Sequence, residues 1–170
     1  MRRILLATLA LGLFGSLLTA GSVMRQGNAV DEIAAVLDDF HAAASAADGD
    51  RYFDHFANDA VFLGTDDTER WDLASFKAFA APYFDKGTGW TYHPIERHIS
   101  VSPGNAVAWF DERLMNEKLG VCRGSGVLVR ERDAWRIAQY NLTIPIPNDL
   151  ADDVTGMIRD LGTPKVPADQ

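Results

Sequence analysis

The chain contains one cysteine, Cys122, so no disulfide forms within it and its stability has to come from packing. Cys122 sits in a strand-like run beside glycines, where a thiol reads as a small buried apolar group rather than a nucleophile. Basic residues are also scarce. Sixteen Lys and Arg face 24 Asp and Glu, a formal charge of −8, and no basic cluster is present, which argues against nucleic acid as a partner. The four histidines, His41, His55, His93 and His98, show neither HxH nor HExxH spacing, so no metal site is expected. The chain has no glycine-rich phosphate loop, no dinucleotide fingerprint and no haem motif, and no cofactor is expected. It has no internal repeat and no low-complexity tract. Ser125 stands between Gly124 and Gly126, but the spacing and the strand context are not those of a nucleophile elbow.

The N-terminus is distinctive. Arg2 and Arg3 precede an almost wholly apolar run from Ile4 to Leu18, and Ala20, Gly21 and Ser22 then supply small residues. This is the anatomy of a secretory signal peptide over residues 1–21. The run is shorter than the ~20 residues of a membrane span. A periplasmic or secreted product is expected, with no membrane contact after cleavage. An uncleaved N-terminal anchor is the alternative, because Leu18 is a poor residue three positions before the cut. Residues 22–29 read as a linker.

The remainder, at 47% hydrophobic and 24% charged over the whole chain, has a globular composition and is long enough to bury one core. Ile33, Val36, Leu37, Phe40 and Ala44 mark one helical stripe over Val30 to Ala47. Asp48-Gly49-Asp50 breaks it, and a short helix is expected from Arg51 to Ala57. Ala60 to Leu63 reads as a strand and Gly64 to Trp71 as a polar loop. Asp72 is placed to cap a helix from Leu73 to about Phe84. A long strand follows from Thr91 to Ser102. Three more strand-like runs are Val107–Arg113, Val121–Val129 and Trp135–Leu142. Residues 149–170 read as an amphipathic helix over Asp149 to Leu161 and a frayed tail.

Alternation along the last three runs puts polar groups among large apolar ones. Val107, Trp109, Asp111 and Arg113 share a face, as do Val121, Arg123, Ser125, Val127 and Val129, and then Trp135, Ile137, Gln139 and Asn141. Such faces line a pocket or meet water on one side of a sheet.

Helices followed by an antiparallel sheet define an α+β layout. With Phe62-Leu-Gly-Thr-Asp66, Glu69-Arg-Trp71, Val107-Ala-Trp-Phe-Asp-Glu112, Cys122-Arg-Gly-Ser-Gly-Val-Leu128 and Trp135-Arg-Ile-Ala-Gln-Tyr-Asn-Leu142, residues 30–148 resemble the SnoaL-like branch of the nuclear transport factor 2-like superfamily. The resemblance implies a cone-shaped, cystatin-like α+β roll, with a curved sheet wrapped around N-terminal helices and a central cavity. It also implies a homodimer formed through the outer sheet face. It specifies fold more than function, because this fold hosts isomerases, dehydratases, cyclases, hydrolases and non-catalytic association modules.

Within such a cone, Arg97, Trp109, Asp111, Arg123, Ser125, Gln139 and Asn141 are the candidate lining. Asp111 between Arg97 and Arg123 would be a buried, paired carboxylate. It is the candidate catalytic group, although two arginines would lower its pKa and weaken it as a base. With the opposite strand phase, Glu112, Arg136 and Tyr140 point inward instead. Thr65, Asp66, Glu69, Arg70 and Trp71 form a second candidate group at the cavity entrance. The alternative for that segment is a turn whose Trp71 plugs the core. His41 either borders the cavity or is half-buried and structural. The expected function is binding of a small amphipathic or anionic molecule, with cofactor-free isomerase, dehydratase or hydrolase chemistry as one outcome. A non-enzymatic dimeric association module is the alternative.

Overall fold

The computed structural model describes residues 11–162, with side chains from Asn28 onward. Helix α1 spans Leu11–Ser45, so the helix expected from Val30 begins earlier and continues through 22–29. The leader expectation concerns residues 1–21, of which 1–10 lie outside the described residues. Among the described residues no helix is long and apolar enough to cross a membrane. Helix α2 (Gly49–Asp54) starts where Asp48 accepts the Arg51 amide. Helix α3 (Leu73–Phe84) starts where Asp72 accepts the Ser75 amide at 2.7 Å, the cap expected from sequence.

The strands are β1 (Phe56–Leu63), β2 (Arg70–Asp72), β3 (His93–Val101), β4 (Val107–Asn116), β5 (Gly120–Glu131) and β6 (Ala134–Thr143). They form one sheet in the order β2-β1-β6-β5-β4-β3. Neighbours are antiparallel except β1 and β6, which run parallel. The segment expected as a loop from Gly64 to Trp71 is instead the turn of the β1–β2 hairpin followed by Arg70 and Trp71 of β2, with Phe62 paired to Trp71. Register shifts interrupt the β3–β4, β5–β6 and β1–β6 ladders, and such irregularities bend a sheet. A 3-10 turn (Asn148–Leu150) and helix α4 (Ala151–Asp160) follow, with Met157 and Leu161 exposed.

The core lies between α1 and the inward sheet face. Ile33, Leu37, Phe40 and Ala44 of α1 are buried there, at the expected helical spacing. They meet Ala108, Phe110, Leu114, Cys122, Leu128, Trp135, Ile137 and Tyr140 from the sheet. Cys122 is fully buried, as its strand context suggested. Aromatic rings fill the wide end: Phe62 stacks on Phe76 with centroids 4.0 Å apart, and Phe40 stacks on Tyr52 at 4.7 Å.

Candidate functional site

Strand phase decides what the sheet presents to its interior, and β4 alternates cleanly. Ala108, Phe110, Glu112 and Leu114 are buried, whereas Val107, Trp109, Asp111 and Arg113 are exposed. On β5 the inward set is Cys122, Gly124, Gly126 and Leu128. On β6 an extra residue, Ala138, enters opposite the Val127–Leu128 step. It switches the phase, so Trp135 and Ile137 point inward before it and Tyr140 and Leu142 after it. The expected lining is corrected accordingly. Trp109, Asp111, Arg123, Ser125, Gln139 and Asn141 lie on the outer face, and of that group only Arg97 turns inward. A shallow outer hollow brings Asp111 and Arg123 together with Glu96, His98 and Arg113. Glu96 pairs there with Arg113 at 3.5 Å and with His98 at 3.2 Å.

The interior carboxylate is therefore Glu112, whose side chain has no exposed surface. Arg97 is its register partner on β3 and donates from Nε to Oε2 at 2.7 Å. His41 donates from Nε2 to Oε1 at 2.8 Å, and the Tyr140 hydroxyl donates to the same oxygen at 3.0 Å. Arg97 Nη1 also reaches Asp38 Oδ1 at 2.8 Å and the Ala34 carbonyl at 3.2 Å. Ala34, Asp38 and His41 are one stripe of α1, four and three residues apart, which aims all three at β3 and β4. Burial alone would push the Glu112 carboxyl up, but His41 and Arg97 outweigh it and hold it below its ordinary range. Burial, and then the Glu112 charge, push the Tyr140 phenol well above its ordinary range. Glycine makes room for this group. A Cβ at Gly124 would run into the Tyr140 hydroxyl and the Glu112 carboxylate, and one at Gly126 into the Gln139 carbonyl.

This cluster is a poor catalyst as it stands. Its carboxylate is ionised, fully hydrogen-bonded and closed to solvent, and a base whose pKa is lowered has little drive to take a proton. Its evident work is structural, since it pins α1 to β3, β4 and β6 through one buried charge. Among the described residues two buried side-chain polar atoms remain without hydrogen-bond geometry, Arg97 Nη2 and the Tyr52 hydroxyl. The Trp90 side chain lies near enough to Tyr52 to favour its ionised form, but burial dominates and raises that phenol.

Beyond the cluster, toward the wide end of the sheet, lies a hollow of about 210 Å³. Phe62 and Leu142 enter it from the inward sheet face, and Trp71, Phe76 and Phe79 from β2 and α3. Trp90, Tyr92 and Leu119 complete the apolar lining, and Gly64, Thr65 and Glu69 come from the β1–β2 turn. Tyr140, the cluster's hydroxyl donor, stacks on Phe62 at 5.6 Å, so one ring separates the buried charge from this pocket. Of the entrance residues expected from sequence, Thr65, Glu69 and Trp71 line the pocket and the exposed Arg70 does not. Asp66 instead organises the turn, accepting from the Thr68 amide at 2.9 Å and the Thr68 hydroxyl at 2.6 Å. Trp90 and Tyr92 were not anticipated; their signal is a pair of aromatics directly after the Gly87–Gly89 break. A larger hollow, about 550 Å³, lies between α2, α3 and the start of β6. Asp50, Asp54, Asp85, Lys77 and Arg136 line it, and Arg136 is already paired with Asp54 at 3.0 Å. Charged walls of both signs do not single out a ligand, whereas an apolar hollow with few polar groups does. Among the described residues no group of His, Cys, Asp and Glu side chains could hold a metal ion.

Residues 33–147 match the family model of the SnoaL-like domain, and the chain belongs to that family, within the nuclear transport factor 2-like fold. A protein of unknown function from Mycobacterium tuberculosis is similar in structure at 18% identity, over 82% of this chain and 89% of its own, with a TM-score of 0.60. A proposed dehydratase of the nuclear transport factor 2-like family from Streptomyces avermitilis matches at 10% identity over 72% and 99%, with a TM-score of 0.60. A proposed calcium/calmodulin-dependent protein kinase II association domain from Xanthomonas campestris matches at 19% identity over 69% and 87%, with a TM-score of 0.52. At these identities the likeness carries the fold alone. No curated protein matches the sequence.

Proposed function

We propose that this protein binds a small, largely apolar molecule in the 210 Å³ pocket at the wide end of its sheet. The carrying observation is that apolar lining, with Thr65, Glu69, Tyr92 and the indole N–H groups of Trp71 and Trp90 as its polar side-chain groups. The volume is below the roughly 300–1,000 Å³ of drug-sized sites, which points to an occupant of about one ring and a short substituent. The anionic ligand expected from sequence has no support here, because no basic side chain lines the pocket and Arg97 is committed to Glu112 and Asp38. Binding is favoured over catalysis because the Glu112 carboxylate is closed to solvent and held by Arg97, His41 and Tyr140. Ligand-observed NMR with a set of small aromatic molecules tests the reading. Leu119→Trp, at the β4–β5 turn, should abolish the signal by filling the pocket; binding unchanged in that variant would place the ligand elsewhere.

The outer sheet face supports self-association in the same protein. Trp109, Val107, Met115 and Val121 are exposed there beside Arg113 and Arg123, and these two arginines are direct cross-strand partners. Like charges directly opposed are unfavourable unless something offsets them. A second copy would cover the apolar groups and bring its own Glu96 and Asp111 to the arginines. Export remains part of the proposal and rests on the apolar start of the chain alone.

A further inference from the structure

The pocket's lining carries a charge signature of its own. Glu69 is its one acidic side chain, and no Lys, Arg or His lines it. Tyr92, the other titratable group there, is pushed up to about 12 by burial and stays neutral. Glu69 belongs to the β1–β2 turn, where its backbone carbonyl accepts the Gly64 amide at 2.8 Å. Its Oε2 accepts the Asp66 amide at 3.2 Å and lies over Gly64, where a Cβ would collide with it. The carboxylate is thus held at the rim by the turn itself. Among the described residues Oε1 has no hydrogen-bond partner, and no Lys, Arg or His pairs with either oxygen. Beside it stand six aromatic side chains, Phe62, Trp71, Phe76, Phe79, Trp90 and Tyr92.

Resting on the pocket reading above, we infer that the occupant is a small organic cation, an aryl- or alkylammonium group with its apolar body among these rings and its charge against Glu69. A neutral occupant would strip water from the carboxylate and return nothing. An anion would face uncompensated repulsion at the rim. A cation satisfies the carboxylate and gains the attraction of the aromatic rings. The chain's net charge of −8 further favours a positive ligand's approach.

Calorimetric titration of the wild-type protein with phenyltrimethylammonium, its neutral isostere tert-butylbenzene and benzoate tests the inference. Phenyltrimethylammonium should bind roughly tenfold or more tightly than tert-butylbenzene, and benzoate should bind most weakly. Glu69→Gln keeps an oxygen for the Asp66 amide and should bring the cation's affinity down to that of tert-butylbenzene, whose own binding should persist. If tert-butylbenzene matches the cation on the wild-type protein, or if Glu69→Gln keeps the preference, the charge assignment is overturned while the pocket reading stands. If none of the three binds the wild-type protein, the pocket reading falls and the inference falls with it.

Discussion

Replacing Glu112 by Gln isolates the buried charge without emptying its site. Glutamine keeps the shape and one acceptor oxygen, so His41 and Tyr140, which share Oε1, can both retain their bonds to it. The other end becomes an NH2 group facing Arg97 Nε, which now sits 2.7 Å from Oε2, and two donors cannot share that gap. Arg97 does not lose every partner, because Asp38 and the Ala34 carbonyl still accept from Nη1. The loss should therefore be about 3 kcal/mol, at the low end for breaking a buried ion pair. For a domain of this size that lowers the melting temperature by roughly 10 °C. Asp111→Asn, one residue away on the exposed face, should change stability by no more than about 0.5 kcal/mol. The pH dependence has a definite sign. The folded-state pKa of Glu112 lies below its ordinary 4.5, so its contribution is complete above that value. The contribution is lost as pH falls through the lower folded value. Glu112→Gln should therefore flatten the acid limb of stability against pH. Circular-dichroism melts from pH 7 to pH 3 on the three proteins decide the matter. A silent Glu112→Gln with a damaging Asp111→Asn would refute the strand phase and the role of the cluster.

Gly124→Ala should cost about 2 kcal/mol, because the added methyl meets the Tyr140 hydroxyl and the Glu112 carboxylate, whereas Gly156→Ala, with open space around it, should be harmless; urea titration compares them. Trp109→Asp should convert a dimer at micromolar concentration to a monomer in light scattering without lowering pocket binding, while a monomeric wild-type protein would end the proposal of self-association. Intact mass of exported protein should begin near Gly21 or Ser22, and a full-length mass in the membrane fraction would support an uncleaved anchor instead.

Much of the architecture was legible in the sequence because the signals were local. The α1 stripe of Ile33, Leu37, Phe40 and Ala44, the Asp72 cap and the four long strands after α3 all follow from spacing and capping chemistry, whereas the order of the strands and the parallel β1–β6 pair do not. The strand phase was not legible, for two physical reasons. On β4, both faces mix apolar groups with charge, Phe110 and Leu114 beside Glu112 inside and Val107 and Trp109 beside Asp111 and Arg113 outside, so hydrophobicity separates the faces only weakly. On β5, the inward residues Gly124 and Gly126 have no side chains to read, and their meaning lies in the large groups across from them. A glycine pair two apart on β5 was the available clue: it marks a face where Tyr140 and Phe110 need space. The Ala138 bulge compounds the error, since alternation carried through from Trp135 puts Gln139 inside when Tyr140 is. The pocket was only half legible. Thr65, Glu69 and Trp71 were within reach from the entrance segment, but Trp90 and Tyr92 join them only through the return of the chain after α3.

Chemical-shift mapping of isotope-labelled protein titrated with toluene shows whether the hollow between Trp71 and Trp90 receives a small apolar molecule. The Trp71 and Trp90 indole N–H signals should shift saturably, with the Trp109 indole on the outer face unmoved. No saturable shift at Trp71 and Trp90, or shifts confined to the hollow around Lys77 and Arg136, would contradict it.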